Sequence, residues 1–318
     1  MDSKSFVVIL AVAVDWLLGD PPNTFHPVAW FGKFAQALER RAPRDDPRAE
    51  LLYGAGMTAI GIVLAALPAF AVRAIARQRD ESRTANWSGV LLAAFALKIT
   101  FAWRGLIRAG ESVQRDLETC TIDVARDDLR TLVSRDTHEL DASQLSAAAI
   151  ESLAENASDS FIAPLLYYHW LGLPGAFAYR AVNTLDAMIG YHGRYEFLGK
   201  VAARVDDALN FVPARTTAFL LVIAARLTHN DAHRAFETMH RDHVRTASPN
   251  AGYPMSAMAG ALDVRLEKVG HYVLNENSRA PQPHDIRRAA RIVSVALGFA
   301  ITIGFLIGAR DQIPNRKS

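Results

Sequence analysis

Residues 51–72 read LLYGAGMTAIGIVLAALPAFAV, a run of 22 residues without one acidic or basic side chain. An α-helix of about 20 such residues crosses the hydrocarbon core of a bilayer, so this stretch predicts a membrane helix and an integral membrane protein. IVSVALGFAITIGFLIGA (292–309) reads the same way. WSGVLLAAFALKITFAWRGLI (87–107) is a third span, made costlier by Lys98 and Arg104; Lys98 is expected to snorkel or to serve as an interior charge. FVVILAVAVDWLLG (6–19) is short for a span, and is expected to cross with help from its flanks or to dip partway in. Asp15 and the GDPP that follows are wrong for a processing site, so it is expected to be retained rather than cleaved as a signal peptide. Two further apolar stretches are interrupted: 161–178 by LGLPG, and 210–227 by Pro213 and Arg215. Broken backbone at membrane depth is tolerated only where protein or a watery cavity surrounds it, which hints at a site.

Half of the 318 residues are hydrophobic, 21% are charged, and the mean hydropathy is +0.06. That is too apolar for most soluble enzymes and too polar for a pure transporter. The expected fold is therefore all-α: a multispanning helical bundle forming one membrane domain over 1–318, with polar cytosolic helical segments; of the polar stretches 108–160, 179–207 and 228–288, the second joins the cytosolic side only if 161–178 is re-entrant. With every apolar stretch counted as a span, one side collects 19 Lys and Arg and the other 12, which places the richer side in the cytosol. The net charge of +2 and the lack of basic runs interleaved with aromatics give no support for nucleic-acid binding. The single cysteine, Cys120, excludes an intramolecular disulfide. GRYEFLGKV (193–201) fails as a phosphate loop because five residues separate its glycines and Val201 replaces Ser or Thr.

The next feature is ESLAENASDS (151–160). On one α-helix Glu151, Glu155 and Asp159 share a face, with like charges stacked at a mutual cost unless water or a cation compensates. YRAVNTLDAMIGY (179–191) sets Arg180, Asn183 and Asp186 along another helix, on an apolar background where unpaired polar groups are expensive. GDPPNTFHP (19–27) offers Asp20 and His26 in a stiff loop, and RVDDALN (204–210) offers Asp206 and Asp207, equally readable as a solvated face. In SPNAGYP (248–254), Ser248, Asn250 and backbone N–H groups can cup an anion near a helix start, with Gly252 freeing the backbone; a plain helix-entry turn is the alternative. His229, His233, His240 and His243 fall on one helical arc, which suits an interfacial amphipathic helix better than a metal site.

Taken in order, GDPP…HP, VSRDT (133–137), ESLAENASDS…AP, YRAVNTLDAMIGY, ARVDDALNFVPAR (203–215), SPNAGYPMSAMAGAL (248–262) and LEKVGHYVL (266–274) form a series. By that series the chain resembles the cobalamin-biosynthesis adenosylcobinamide-phosphate synthase family of integral membrane proteins, from about residue 15 to the last span. Tyr253, Met255 and Ser256 stand where the family often has Trp, Glu and Ala.

The resemblance implies ATP-dependent amide formation between a corrinoid carboxylate and aminopropanol phosphate or ethanolamine phosphate, with Mg²⁺ as the companion of ATP. It implies a multi-pass protein of the cytoplasmic membrane with its site on the cytosolic face, and other cobalamin-biosynthesis enzymes as partners. On that reading Glu151, Glu155 and Asp159 are expected to serve Mg²⁺, and Asn156 to supply a neutral oxygen or a donor. Arg180 and Arg215 are expected to grip phosphate, and Asn183 and Asp186 to position an amine. Asp20, His26, Asp206, Asp207, Ser248, Asn250 and Gly252 are expected to contribute to substrate binding. Two rival classes remain. A transporter would use Lys98, Arg180 and Asp186 along a pathway, and a non-catalytic scaffold would only gather corrinoid enzymes.

Overall fold

The computed structural model describes residues 3–77, 87–133 and 135–310; Ser134 of the VSRDT motif lies outside them. In chain order the helices are α1 (Ser3–Leu18), α2 (Pro27–Glu39), α3 (Pro47–Arg77), α4 (Trp87–Lys98), α5 (Trp103–Thr119), α6 (Ile122–Leu129) and α7 (Ala142–Ala157). A π-helical turn (Ser158–Ile162) leads into α8 (Ala163–Leu171), α9 (Leu173–Ile189), α10 (Lys200–Leu227), α11 (Ala232–Asp242) and α12 (Gly252–Leu262). Strands β1 (Leu266–Lys268) and β2 (Tyr272–Leu274) precede α13 (Pro283–Arg310). The chain is thus mostly helical as expected, but not purely so, because β1 and β2 pair antiparallel with Leu266 opposite Leu274. Three-residue strands closed around Gly270, whose φ is +76°, are too short to show a period-2 pattern.

Three helical stretches among the described residues are long and apolar enough to cross a membrane: Pro47–Ile75, Trp87–Thr119 and Lys200–Leu227. They cover three of the six apolar segments. Of the others, 6–19 lies on the 16-residue α1, and 292–309 lies within α13. The segment 161–178 is broken at Gly172, which caps α9 at φ +76°, so LGLPG divides it into two short helices. Pro213 does not break α10. A proline withholds the N–H that the carbonyl four residues back would accept, and the Tyr167 hydroxyl donates to that Leu209 carbonyl at 2.9 Å instead.

The chain divides into two compact units. Unit 1 holds residues 1–102, 163–209 and 303–318; unit 2 holds 103–162 and 210–302. In unit 1, α3 packs on α9, α8 on α9 and α1 on α4. A core of Ala35, Met57, Leu185, Ile189, Leu198 and Ala202 lies among α2, α3, α9 and α10. In unit 2, α7 packs against α5, α6, α12 and β1, and α11 packs on α12. That last contact is close because Gly260 carries no Cβ to run into the Arg234 carbonyl. The four-histidine arc is not one helix: His229 sits in a turn with φ +58°, and α11 starts only at Ala232 behind the Asp231 cap.

Of the two readings of Lys98, the interior charge is the one observed. Its ammonium lies 2.8 Å from Asp15 and 2.5 Å from Asp20, with 4% of the Lys98 side chain and none of Asp15 exposed. The pair fastens α1 to α4. Removing one member of a buried pair strands the other charge, at about 3–5 kcal/mol. Lys98→Met is therefore expected to unfold far more easily in a denaturant titration of the detergent-solubilised protein, with Asp15→Asn in the same chain restoring much of the loss. A single variant as stable as wild type would contradict the assignment.

Candidate functional site

Helix α7 starts at a capping box, in which Asp141 accepts from the Gln144 N–H and the Gln144 side chain accepts from the Asp141 N–H. From Leu145 to Ala154 every side chain is buried. A carboxylate in such a helix needs a partner, and Glu151, 5% exposed, has one: Arg135 Nη2 donates to its Oε2 at 2.9 Å. Arg135 comes from the VSRDT loop, which Thr137 anchors by donating to the Arg126 carbonyl at 3.0 Å. From β2, Tyr272 brings its hydroxyl to the same place, facing Glu151 and Glu155.

Burial outweighs Arg135 and pushes the Glu151 carboxyl up to about 7, with Glu155 adding to the rise. Burial beside these two acids also raises the Tyr272 phenol above its usual range. At neutral pH Glu151 therefore exchanges a proton readily while Tyr272 stays a donor.

The expected acidic ladder is interrupted. Glu155 is the last acid on α7, and Asp159 lies in the π turn, so the 100° step that would have aligned it with Glu151 is broken. Asn156 is spent locally: it donates to the Ser152 carbonyl and hydroxyl and accepts from the Ser160 hydroxyl. Glu155 and Asp159 are half-buried. Among the described residues no three His, Cys, Asp or Glu side chains stand close enough to hold an ion.

The 248–252 loop also belongs to unit 2. The Ser248 hydroxyl accepts from the Asn250 and Ala251 N–H groups, so Ser248 makes a helix-entry turn. Gly252 matters for space: a Cβ there would strike the His243 carbonyl. Buried Asn250 accepts from Arg215 Nη1 at 3.2 Å.

The remaining expected residues fall in unit 1. Arg180 donates to Asn183 Oδ1 at 3.2 Å, and Asn183 donates to buried Asp206 at 3.4 Å. Asp186 is half-buried on the same helix, and Asp207 pairs with Arg204 at 3.8 Å. His26 caps α2, its Nδ1 accepting from the Val28 N–H at 3.2 Å. Burial lowers its pKa; Asp20 pulls it up, and Lys98 and Arg180 push it down. An apolar cavity of about 570 Å³ lies between α2, α3, α4 and α9, with Arg180 the charged residue on its wall.

Residues 8–293 match the CobD/Cbib protein family. The chain belongs to that family. Among curated relatives, the cobalamin biosynthesis protein CobD of Dehalococcoides mccartyi is 40% identical over 96% of this chain and 98% of its own length. The probable cobalamin biosynthesis protein CobD of Methanothermobacter thermautotrophicus is 37% identical over 93% and 95%, and the CobD of Klebsiella pneumoniae is 36% identical over 95% and 100%. No solved structure matches the chain. Within this family the motifs resolve into two clusters: Arg135, Glu151, Glu155 and Tyr272 in unit 2, and Asp20, His26, Lys98, Arg180, Asn183 and Asp206 in unit 1. Arg135, Tyr272 and Lys98 were not among the expected site residues. Arg135 and Tyr272 lie inside two of the seven motifs, and an acid as deeply apolar in its flanks as Glu151 demanded a cation from elsewhere.

Because the folded-state value of about 7 exceeds the ordinary 4.5, protonated Glu151 contributes stability that is full below pH 4.5 and is lost as pH rises through 7. Glu151→Gln removes this titration. Its unfolding free energy relative to wild type is expected to improve by about 3 kcal/mol between about pH 4 and about pH 8, read from denaturant midpoints. A difference that stays flat across that range would show that Glu151 is not a buried titrating acid.

Proposed function

We propose that the chain is an adenosylcobinamide-phosphate synthase: it uses ATP to join the free carboxylate of adenosylcobyric acid to the amine of aminopropanol phosphate or ethanolamine phosphate. Family membership over residues 8–293 carries this reading, and the relatives named for cobalamin biosynthesis support its pathway. A carboxylate is a poor electrophile at neutral pH. Transfer of the γ-phosphoryl group to it gives an acyl phosphate and ADP; attack by the neutral amine then forms the amide and releases phosphate and a proton.

The chain's own residues fit these needs. Buried Glu151, titrating near pH 7, is suited to take the proton that the substrate ammonium must lose, and Arg135 holds it in place. Mg²⁺ supplies charge neutralisation to the ATP phosphates, and it takes one or two carboxylates alongside phosphate oxygens and water. Half-buried Glu155 and Asp159 suit that role; Glu151, with Oε2 engaged by Arg135, does not. In the same unit, Arg215 is suited to phosphate. ATP and corrinoid place the working face in the cytosol, with the protein a multi-pass component of the cytoplasmic membrane beside other cobalamin enzymes.

The test uses purified protein in detergent with adenosylcobyric acid, aminopropanol phosphate and Mg-ATP, product being followed by mass spectrometry. Wild type is expected to form the amide, and Glu155→Gln to form it about 100-fold more slowly while remaining folded. No product from folded wild type with either amino-alcohol phosphate would refute the assignment and favour a transporter or scaffold.

A further inference from the structure

Arg215 lies in the apolar stretch of α10 and is half-buried. The arginines that hold unit 2 together meet acids: Arg135 meets Glu151, Arg241 meets Asp242, and Arg279 and Arg288 meet Asp285. Arg215 meets none among the described residues. Its polar contacts are two, both through Nη1, which donates to the Phe211 carbonyl at 2.8 Å and to Asn250 Oδ1 at 3.2 Å. Its flat faces are taken by rings: the guanidinium carbon stands 3.6 Å from the centroid of Phe211 and 4.2 Å from that of Tyr253. Tyr253 is in turn backed by the His243 ring at 4.3 Å.

A guanidinium so placed is held rigid, since stacking fixes its plane and the two Nη1 contacts fix its rotation. Nε and Nη2 remain, the edge whose parallel N–H groups match two oxygens of one phosphate. A polyphosphate needs several donors and a cation; one bidentate edge serves one phosphate group.

We propose that Arg215 is the seat of a phosphate monoester, gripped by its Nε and Nη2 edge, and that Phe211, Asn250 and Tyr253 are positioning residues that hold the guanidinium ready. Resting on the amide-synthase reading, the ligand is the phosphate of the amino-alcohol substrate rather than that of ATP. The amine of that substrate carries no recognition here, so the phosphate-free amino alcohol does not bind at this seat.

Calorimetry of the full-length protein in detergent tests this with aminopropanol phosphate and with aminopropanol as probes. Wild type and Tyr253→Phe are expected to bind the phosphate ester alike, and neither to bind aminopropanol. Arg215→Lys, which keeps the charge and loses the fork, and Tyr253→Leu, which loses the stacking face, are expected to raise Kd about tenfold or more. In turnover, Tyr253→Leu is expected to raise KM for the phosphate ester and leave KM for ATP unchanged. Should the variants fold poorly, phenylglyoxal modification of wild type gives a second readout: aminopropanol phosphate is expected to shield Arg215, and aminopropanol to leave it reactive. Unchanged affinity in Arg215→Lys and Tyr253→Leu, or no shielding, overturns the proposal. Arg215-dependent binding of the ester without amide formation would refute the synthase and keep this seat; amide formation with binding indifferent to Arg215 would do the reverse.

Discussion

The pair between Arg135 and Glu151 is the constraint on which unit 2 depends. Helix α7 is buried along ten consecutive residues, and an ionised carboxylate left unpaired in its midst would cost several kcal/mol unless it took up a proton. The VSRDT loop must therefore turn inward to deliver Arg135, and the β1–β2 hairpin must lie where Tyr272 faces the same acid. Both irregular segments are thus tied to one buried charge. The capping box fixes where α7 begins, and so fixes Glu151 in register with its partners.

Unit 1 solves a similar problem with opposite signs. There the cation sits at the end of an apolar helix, and Asp15 and Asp20 come to it from α1 and the loop behind it. Asp20 also reaches His26, whose neighbours include Arg180, so the charges of the GDPP loop and of α9 act on one imidazole. Buried charges arranged in pairs, with a few groups left half-exposed, are what a catalyst for charged substrates needs inside an otherwise apolar protein.

Much of this was legible in the residues. Long uncharged runs give spans, and LGLPG gives a break because glycine at positive φ ends one helix and proline opens the next. Arg180, Asn183 and Asp186 were readable as one helical series. The π turn at Ser158–Ile162 was not, because nothing in the local composition distinguishes it from an α-turn, and the misplaced Asp159 follows from that. Lys98 was readable as a snorkelling or an interior charge but its partners were not, because they lie 78 residues or more away in sequence, where periodicity carries no information. The hairpin was too short to announce itself. For the 248–252 loop the residues left an anion cup and a helix-entry turn both open; Ser248 closes a turn, and Gly252 makes room for a carbonyl.

The central claim is that the chain activates a corrinoid carboxylate with ATP and captures it with an amine. Adenosylcobyric acid carrying ¹⁸O in its free carboxylate, turned over with aminopropanol phosphate and Mg-ATP, tests it most directly. Passage through an acyl phosphate predicts that one labelled oxygen leaves with each inorganic phosphate released, in step with amide formed. Amide formation with unlabelled phosphate, or ATP hydrolysis with no amide at all, would contradict the account.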